Sequence, residues 1–201
     1  MREKKGLEAG AKKVDGRIAR SRVQYDVIKT TFLELVNEGN YSPTAVDVAK
    51  RTGISVRTVF RHFSNIEELY AKIGEFQRSY VFENIPCPIE DSSWEDRLKQ
   101  IIFRRRAVFE VILGSLEFAM VNRWRSPYVA DAYQQMLDES RQFLELALHN
   151  HVDITTRKFD TLVILFSPGQ WRMLRKDFDL TVDEAVQWLF DTAIALYPSD
   201  Q

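Results

Sequence analysis

Residues 44–63, TAVDVAKRTGISVRTVFRHF, carry the signals of two short helices joined by a tight turn. Thr44 can cap the first helix, and Asp47, three residues later, completes a capping box. Gly53 follows the last turn of that helix, where a left-handed backbone conformation is needed and glycine adopts it without strain. Ser55 is a favourable cap for the second helix. The stretch therefore predicts a helix-turn-helix.

The second predicted helix has an apolar side and a basic or hydroxylic side. Val59 and Phe63 are four residues apart, so they share a face that we expect to point inward. The side chains left to face outward are Val56, Arg57, Thr58 and Arg61. A simple helical hairpin in an all-helical core would explain the apolar side alone. The basic outward side favours a helix that lies in the major groove of duplex DNA.

The same stretch resembles the tetracycline-repressor (TetR) family, whose pattern runs roughly T-V-x-D-I-A-x-x-A-G-V-S-x-x-T-L-Y-x-H-F. The resemblance continues into SNIEELYAKI, residues 64–73, which is similar to the start of the family's fourth helix, and it covers about the first third of the chain. The positions that match the pattern are Thr44, Asp47, Val48, Ala49, Gly53, Ile54, Ser55, Thr58, Val59, Phe60, His62 and Phe63. The resemblance implies a DNA-binding transcriptional regulator.

Four positions depart from the family pattern. Phe60 stands where the family often has a tyrosine, and Ile66 where a lysine is common, so two phosphate contacts are missing. Ala45 replaces a larger apolar residue, and Val46 replaces a polar residue that faces DNA. The phosphate contacts are therefore assigned to Thr44, Arg61, His62 and the N-terminal tail. The full predicted DNA-binding set is Arg17, Arg20, Arg22, Thr44, Val46, Ser55, Val56, Arg57, Thr58, Phe60, Arg61 and His62.

Charge is distributed unevenly along the chain. The net charge of the 201 residues is −1, but residues 1–63 hold 13 Lys/Arg against 7 Asp/Glu, while residues 64–201 hold 15 against 22. Such asymmetry is typical of a basic DNA-binding domain joined to an acidic one. We expect residues 1–20 to form a basic flexible tail, residues 21–66 the helix-turn-helix domain, and residues 67–201 a ligand-binding and dimerisation domain.

Composition narrows the class of protein further. Hydrophobic residues make up 45% of the chain, enough for a substantial core, and no apolar run is long enough to cross a membrane. No signal peptide is recognised, so a cytoplasmic location without a membrane partner is expected. Cys87 is the only cysteine, which excludes a disulfide framework and a zinc-ligand cluster, and no cofactor is predicted.

The remaining sequence reads as helices separated by clear stops, which predicts an all-α fold of about nine helices. The first helix is expected from about Ser21 to Glu38, with Val27, Ile28 and Leu35 inward. Later helices are expected at residues 94–113, from Pro127 to near His151, at residues 154–166, and up to Tyr197. The predicted caps and box partners are Ser64 with Glu67, Ser92 with Glu95, Ser126, Asp153, Ser167 with Gln170, and Thr181 with Glu184.

The C-terminal domain is predicted to bind a small molecule and a second copy of the chain. Methionine and aromatic side chains suit an adaptable apolar pocket, and the family resemblance favours a hydrophobic or amphipathic effector. The predicted pocket residues are Phe109, Leu113, Leu116, Met120, Trp124, Tyr133, Met136 and Phe143. The last helices resemble the family's dimerisation helices. The predicted interface residues are Leu162, Phe166, Leu174, Ala185, Val186, Leu189, Ala193 and Leu196.

These observations predict a homodimeric repressor that binds a palindromic double-stranded DNA operator and is released by its ligand. Two alternatives remain. A helical enzyme is disfavoured because His62, His149 and His151 form no HExxH pattern and no phosphate-cradling glycine loop is present. A ligand-independent DNA-organising or adaptor protein of the same fold would lack an enclosed cavity in the C-terminal domain.

Overall fold

The computed structural model describes residues 3–86 and 93–197, with the side chains of residues 3–15 and of Arg17 excepted. The described part is all helical, which confirms the predicted fold class. It holds nine α-helices, the eighth followed by a π-helical segment, Met173–Asp177. Their bounds are α1 Glu3–Asn37, α2 Ala45–Thr52, α3 Val56–His62, α4 Ile66–Asn84, α5 Trp94–Asn122, α6 Pro127–Leu148, α7 Arg157–Leu165, α8 Pro168–Arg172 and α9 Val182–Leu196.

The first helix is longer than predicted. It begins at Glu3 rather than near Ser21, so residues 3–20, expected to form a flexible tail, belong to α1. No proline interrupts this segment, and its Lys, Arg, Glu, Ala and Leu residues have high helix propensity. A helix already formed further along the chain extends at low cost, because each added residue gains a hydrogen bond without a new nucleation step.

Three predicted helix starts are displaced by one or more residues. Asn65 and not Ser64 caps α4: its side chain accepts a bond from the Glu68 N–H at 2.8 Å. Ser93, with Asp96 as its partner, caps α5, while Ser92 lies outside the described residues. Thr156 caps α7, since the Asp153 carboxylate is bonded instead by the N–H and hydroxyl of Thr155.

The predicted starts of α6, α8 and α9 are correct. Ser126 caps α6 ahead of Pro127, and Ser167 accepts from the Gln170 N–H at 3.1 Å. Thr181 and Glu184 form the expected capping box. The fifth helix, expected to end near Leu113, continues to Asn122. Buried residues recur along it from Arg97 to Ala119, and this packing overrides the low helix propensity of Gly114.

The chain divides into two compact units, Met1–Gly74 and Glu75–Gln201, called here the N-terminal and C-terminal units. The division falls inside α4, beyond the boundary expected after residue 66. In the N-terminal unit, α1 packs on α2 and α2 on α3. The core of this unit contains Ile28, Phe32, Val48, Val59 and Phe63.

In the C-terminal unit, α5 packs against α6, α8 and α9, and α7 packs against α6, α8 and α9. Its core is one apolar cluster that includes Leu98, Leu144, Phe159 and Trp171, each at most 1% exposed. None of the helices among the described residues combines the length and apolar character that crossing a bilayer requires.

Candidate nucleic-acid interface

The first helix of the predicted motif is held at both ends by the residues that the sequence indicated. The Thr44 hydroxyl accepts from the Asp47 N–H at 3.2 Å, and the Thr44 N–H donates to Asp47 Oδ2 at 2.8 Å, which completes the capping box. The hydroxyl also donates to Asp47 Oδ2 at 2.7 Å. Hydrogen bonds from the hydroxyl and then the backbone N–H of Thr44 lower the pKa of the Asp47 carboxyl. At the other end, Gly53 has φ 71° and donates its N–H to Ala49 O at 3.0 Å. Both ends of α2 are therefore fixed locally.

The second helix, α3, has the inward side that its spacing predicts. Ser55 Oγ accepts from the Thr58 N–H at 3.2 Å and caps the helix. Val59 and Phe63 are each 2% exposed. The Phe63 ring stacks on Tyr25 of α1, with centroids 4.9 Å apart and planes 27° from parallel. This stack fixes how α3 lies against α1.

Two polar contacts also attach the motif to α1 and to Glu38, the residue that follows it. Arg51, in the last turn of α2, makes a two-pronged ion pair with Glu38 at 2.9 and 2.6 Å. The side-chain bond with Arg51 lowers the pKa of Glu38. On α3, Arg61 donates to Gln24 Oε1 at 3.1 Å. These roles of Glu38, Arg51, Gln24 and Tyr25 were not predicted from the sequence. The basic residues at the C-terminal end of α2 are a recognisable signal, but their partners depend on how α1 crosses it.

Three side chains of the motif, those of Val46, Arg57 and Phe60, are exposed and are not part of the core of the N-terminal unit. Phe60 is 52% exposed and Val46 is 46% exposed, so about half of each apolar side chain is left open to a partner. Arg57 is also exposed and has no hydrogen bond or ion pair with the described residues. We call Val46, Arg57 and Phe60 the reading surface. The outward residues Val56 and Thr58 are only partly exposed.

Several hydroxyl groups expected to contact DNA are already engaged within the motif. The Thr44 hydroxyl donates its proton to Asp47, so donating to a phosphate would require breaking that bond. Ser55 Oγ and Thr58 Oγ1 lie 2.9 Å apart, so one of the two hydroxyls donates to the other. At most one hydroxyl of this pair remains free to donate to DNA.

The predicted phosphate contact at His62 is not supported by its surroundings. Its Nε2 atom is buried and has no hydrogen-bond partner. Burial, followed by the positive charge of Arg61, lowers the pKa of His62 below its usual value of 6.5. The ring is therefore neutral at pH 7 and lies edge-on to Tyr25, with centroids 6.3 Å apart. In this arrangement His62 supplies packing to the motif rather than charge to the surface.

The three upstream arginines occupy α1 rather than a tail. Arg20 and Arg22 are exposed, and Arg20 Nε donates to Gly16 O at 3.2 Å, four residues earlier on the same helix. The side chain of Arg17 lies outside the described residues. Their contact with DNA remains a prediction.

The predicted pocket residues divide into three environments. Phe109 and Leu116 are buried, and Phe109 belongs to the apolar core, where it packs against Trp171 with centroids 6.4 Å apart. Trp124 is 80% exposed. The partly buried members, which retain surface that a ligand could contact, are Leu113, Met120, Tyr133, Met136 and Phe143.

Arginine side chains cover two of the partly buried aromatic rings. The Arg105 guanidinium lies 4.8 Å from the Phe143 centroid, and that of Arg123 lies 4.6 Å from the Tyr133 centroid. Arg105 is only 5% exposed and donates to Ser140 Oγ at 2.9 Å and to Ser140 O at 2.6 Å. Of the run Arg104–Arg106, the middle arginine is therefore a core residue and not part of a solvated helix face.

Most of the predicted dimer residues are used inside the single chain. They pack against other helices of the same unit, so a second copy cannot reach them. Of the eight residues, only Val186 and Leu196 keep appreciable solvent-accessible surface, and Leu196 is 41% exposed. The members of the core, each at most 2% exposed, are Leu162, Phe166, Leu174, Ala185, Leu189 and Ala193.

Residues 3–86 and 93–197 hold no group of three or more His, Cys, Asp or Glu side chains that could bind a metal ion. Cys87, the only cysteine of the chain, lies outside the described residues.

Comparison with known protein families gives a match that covers the helix-turn-helix. Residues 31–73 match the family model described as "Bacterial regulatory proteins, tetR family". The matched segment begins within α1, includes α2 and α3, and ends within α4. No curated protein and no solved structure matches the chain.

Proposed function

Because the chain belongs to the tetR family of bacterial regulatory proteins through its helix-turn-helix, we propose that this DNA-binding transcription regulator is a dimeric repressor. A small hydrophobic or amphipathic ligand releases it from a palindromic operator. The observation that carries the proposal is the exposed, unengaged Arg57 on a helix whose caps and core contacts are all satisfied.

Arg57 is the residue that we assign to base recognition. An arginine in the major groove donates two parallel hydrogen bonds to guanine O6 and N7. Arg57 is free to do so, whereas Arg61, four residues later, already binds Gln24. Arg61 is assigned to the phosphate backbone, together with Arg17, Arg20 and Arg22 of α1. Phosphate contacts add affinity and salt dependence but no sequence information.

Dimerisation is proposed because one seven-residue recognition helix contacts only a few base pairs. Two such helices related by a twofold axis would read half-sites about 34 Å apart. Exposed apolar side chains on α7 and α9, which pack together, supply the surface for this dimer. Ile164 is 65% exposed, Trp188 40% and Leu196 41%. The interface that we propose therefore uses the outward residues of these helices and not their inward stripe.

Ligand response is proposed for the partly buried side of α5 and α6, which carries Leu113, Met120, Tyr133 and Met136. Residues of α4 belong to both units, so we assign the transmission of the ligand signal to this helix. A ligand can release DNA only to the extent that it binds the released state more tightly. A tenfold loss of operator affinity requires about 1.4 kcal/mol of such coupling.

The test of DNA reading compares two arginines of the same helix. Operator sequences are first selected from random duplexes with the full chain, and Kd is then measured for Arg57→Ala and Arg61→Ala at fixed salt. Arg57→Ala is expected to cost about 1–3 kcal/mol per half-site and to relax selection at one position. Arg61→Ala, the matched control, is expected to weaken binding evenly on all sequences.

Two outcomes would count against parts of the proposal. An even loss for Arg57→Ala would show that this side chain binds only phosphate. Equal operator affinity of the protein with and without every ligand that binds it would remove the ligand switch. That result would favour a ligand-independent DNA-organising or adaptor protein of the same fold.

A further inference from the structure

Val46 and Phe60 place apolar groups where a DNA-binding motif ordinarily places polar ones. We propose that Val46 and Phe60 read the C5-methyl groups of thymines in the major groove, next to the guanine contacted by Arg57. The inference rests on the proposed operator binding and specifies the chemistry of the half-site. It predicts that each half-site contains thymines whose methyl groups contribute to affinity.

Helix geometry places these apolar side chains beside the base-reading arginine. Phe60 follows Arg57 by three residues on α3, so the two side chains are neighbours on one face of the helix. Val59, which lies between them in sequence, is buried on a different face of α3. On α2, the inward residues are Val48 and Ala49, which leaves Val46 on the outward side of the first turn. About half of the Phe60 side chain is exposed, so packing within the unit uses only part of the ring.

The polar groups of the motif are the second observation. The hydroxyl of Thr44 is committed to Asp47, and Ser55 and Thr58 share a hydrogen bond. Arg61 is bonded to Gln24. Unlike these side chains, Arg57 makes no hydrogen bond within the described residues, and Val46 and Phe60 are already exposed. Apolar contact by Val46 and Phe60 would therefore add to the base discrimination that is assigned to Arg57.

The thymine methyl is the apolar group that the major groove presents. It projects from C5 beside the O4 acceptor and distinguishes thymine from the other three bases. Burying one such carbon contributes about 0.8 kcal/mol, which corresponds to a roughly fourfold change in affinity. A deoxyribose contact would bury similar area without depending on the base.

Substitution of thymine by deoxyuridine provides the test, because it removes the methyl group and leaves base pairing unchanged. Operators selected with the full chain are resynthesised with deoxyuridine at one thymine position of each half-site in turn. Kd is measured by fluorescence anisotropy at fixed salt. We expect about a fourfold loss per methyl at two or more positions. Phe60→Ala should abolish the loss at one of these positions and Val46→Ala at another.

Phe60→Tyr is the matched control, since it keeps the ring and restores a hydroxyl. It should retain the methyl dependence that Phe60→Ala loses. Both positions are exposed, so the variants are expected to fold, and circular dichroism checks this.

Each remaining outcome bears on a different claim. Deoxyuridine without effect at every position would overturn the methyl-reading proposal while leaving Arg57-dependent operator binding in place. A loss for Phe60→Ala that is equal on thymine and deoxyuridine operators would assign Phe60 to the sugar-phosphate backbone and overturn its role here. Absence of sequence-selective binding to any duplex would overturn the proposed function itself.

Discussion

Gly53 ends α2 with φ 71° and ψ 3°, and its replacement by alanine gives a sharp test of how the turn is built. A Cβ added at this position would meet no atom within 4 Å. The cost of Gly53→Ala is therefore conformational and not steric. A left-handed conformation costs a residue with a Cβ about 1–2 kcal/mol. The lower entropy of alanine in the unfolded chain offsets about 0.4–1 kcal/mol of this.

The expected net destabilisation of the motif is thus about 1 kcal/mol, or roughly a fivefold rise in the population of its opened form. Native-state hydrogen exchange of the full chain measures this directly. Peptides that cover residues 44–63 should exchange about five times faster in Gly53→Ala. Peptides from the C-terminal unit should not change and serve as an internal reference.

Gly53→Asn is the matched control, because asparagine tolerates the left-handed region better than alanine does. Its exchange in the same peptides should lie between those of the native chain and Gly53→Ala. Unchanged exchange in Gly53→Ala would refute the reasoning, since it would mean that the turn does not need a positive φ. Equal effects of alanine and asparagine would attribute the loss to something other than backbone conformation.

Two further predictions concern the C-terminal unit. Glu117 pairs with Arg172 at 2.7 Å, and the Glu117 side chain is 9% exposed. Glu117→Gln should therefore lower the free energy of unfolding, measured by urea titration, by about 3 kcal/mol. This is near the low end for a broken buried pair because Arg172 keeps its second ion pair, with Asp177. Glu145→Gln, which removes the more exposed pair with Arg141, should cost no more than about 0.5 kcal/mol; equal losses would contradict the role of burial. Ile164→Glu should shift the protein from dimer to monomer in light scattering, because a charge enters the proposed interface. Leu146→Glu, at a comparably exposed position of α6, should not; dimers that persist in Ile164→Glu would place the interface elsewhere.

The helix-turn-helix was predictable because its signals are local. A capping box, a left-handed glycine and a second cap each depend on residues no more than four apart, and the structure has all three as expected. The outward position of Arg57 and the inward position of Val59 follow from helix periodicity alone.

Adjacent polar residues explain why other starts were displaced. The sequence offers Ser64 beside Asn65 and Ser92 beside Ser93, and either member of each pair could cap a helix. Which of the two residues caps the helix depends on where the backbone first adopts the helical conformation. That position is set by how the rest of the helix packs. At α4, Glu68 shows the difference: its carboxylate accepts from the N–H and hydroxyl of Ser64, while its own N–H binds Asn65.

Burial in the C-terminal unit was not predictable from spacing. An apolar stripe at helical period shows that one face is covered, but not whether the cover is the same chain or a partner. Leu162, Leu189 and Ala193 fit either reading, and the structure buries them in the core of the single chain. His62 illustrates the same limit, since only its neighbours reveal that its Nε2 is buried and its pKa lowered.

The sequence by itself determined the all-α class, the caps of the helix-turn-helix, the match of residues 31–73 to the tetR family and the basic character of the N-terminal unit. These depend on local hydrogen bonds, periodicity and composition, which are written along the chain. Only the tertiary structure decided which polar groups of the motif are engaged and which apolar side chains stay exposed. That difference has one cause: a side chain's partners and burial depend on residues distant in sequence, such as Gln24 with Arg61 and Tyr25 with Phe63.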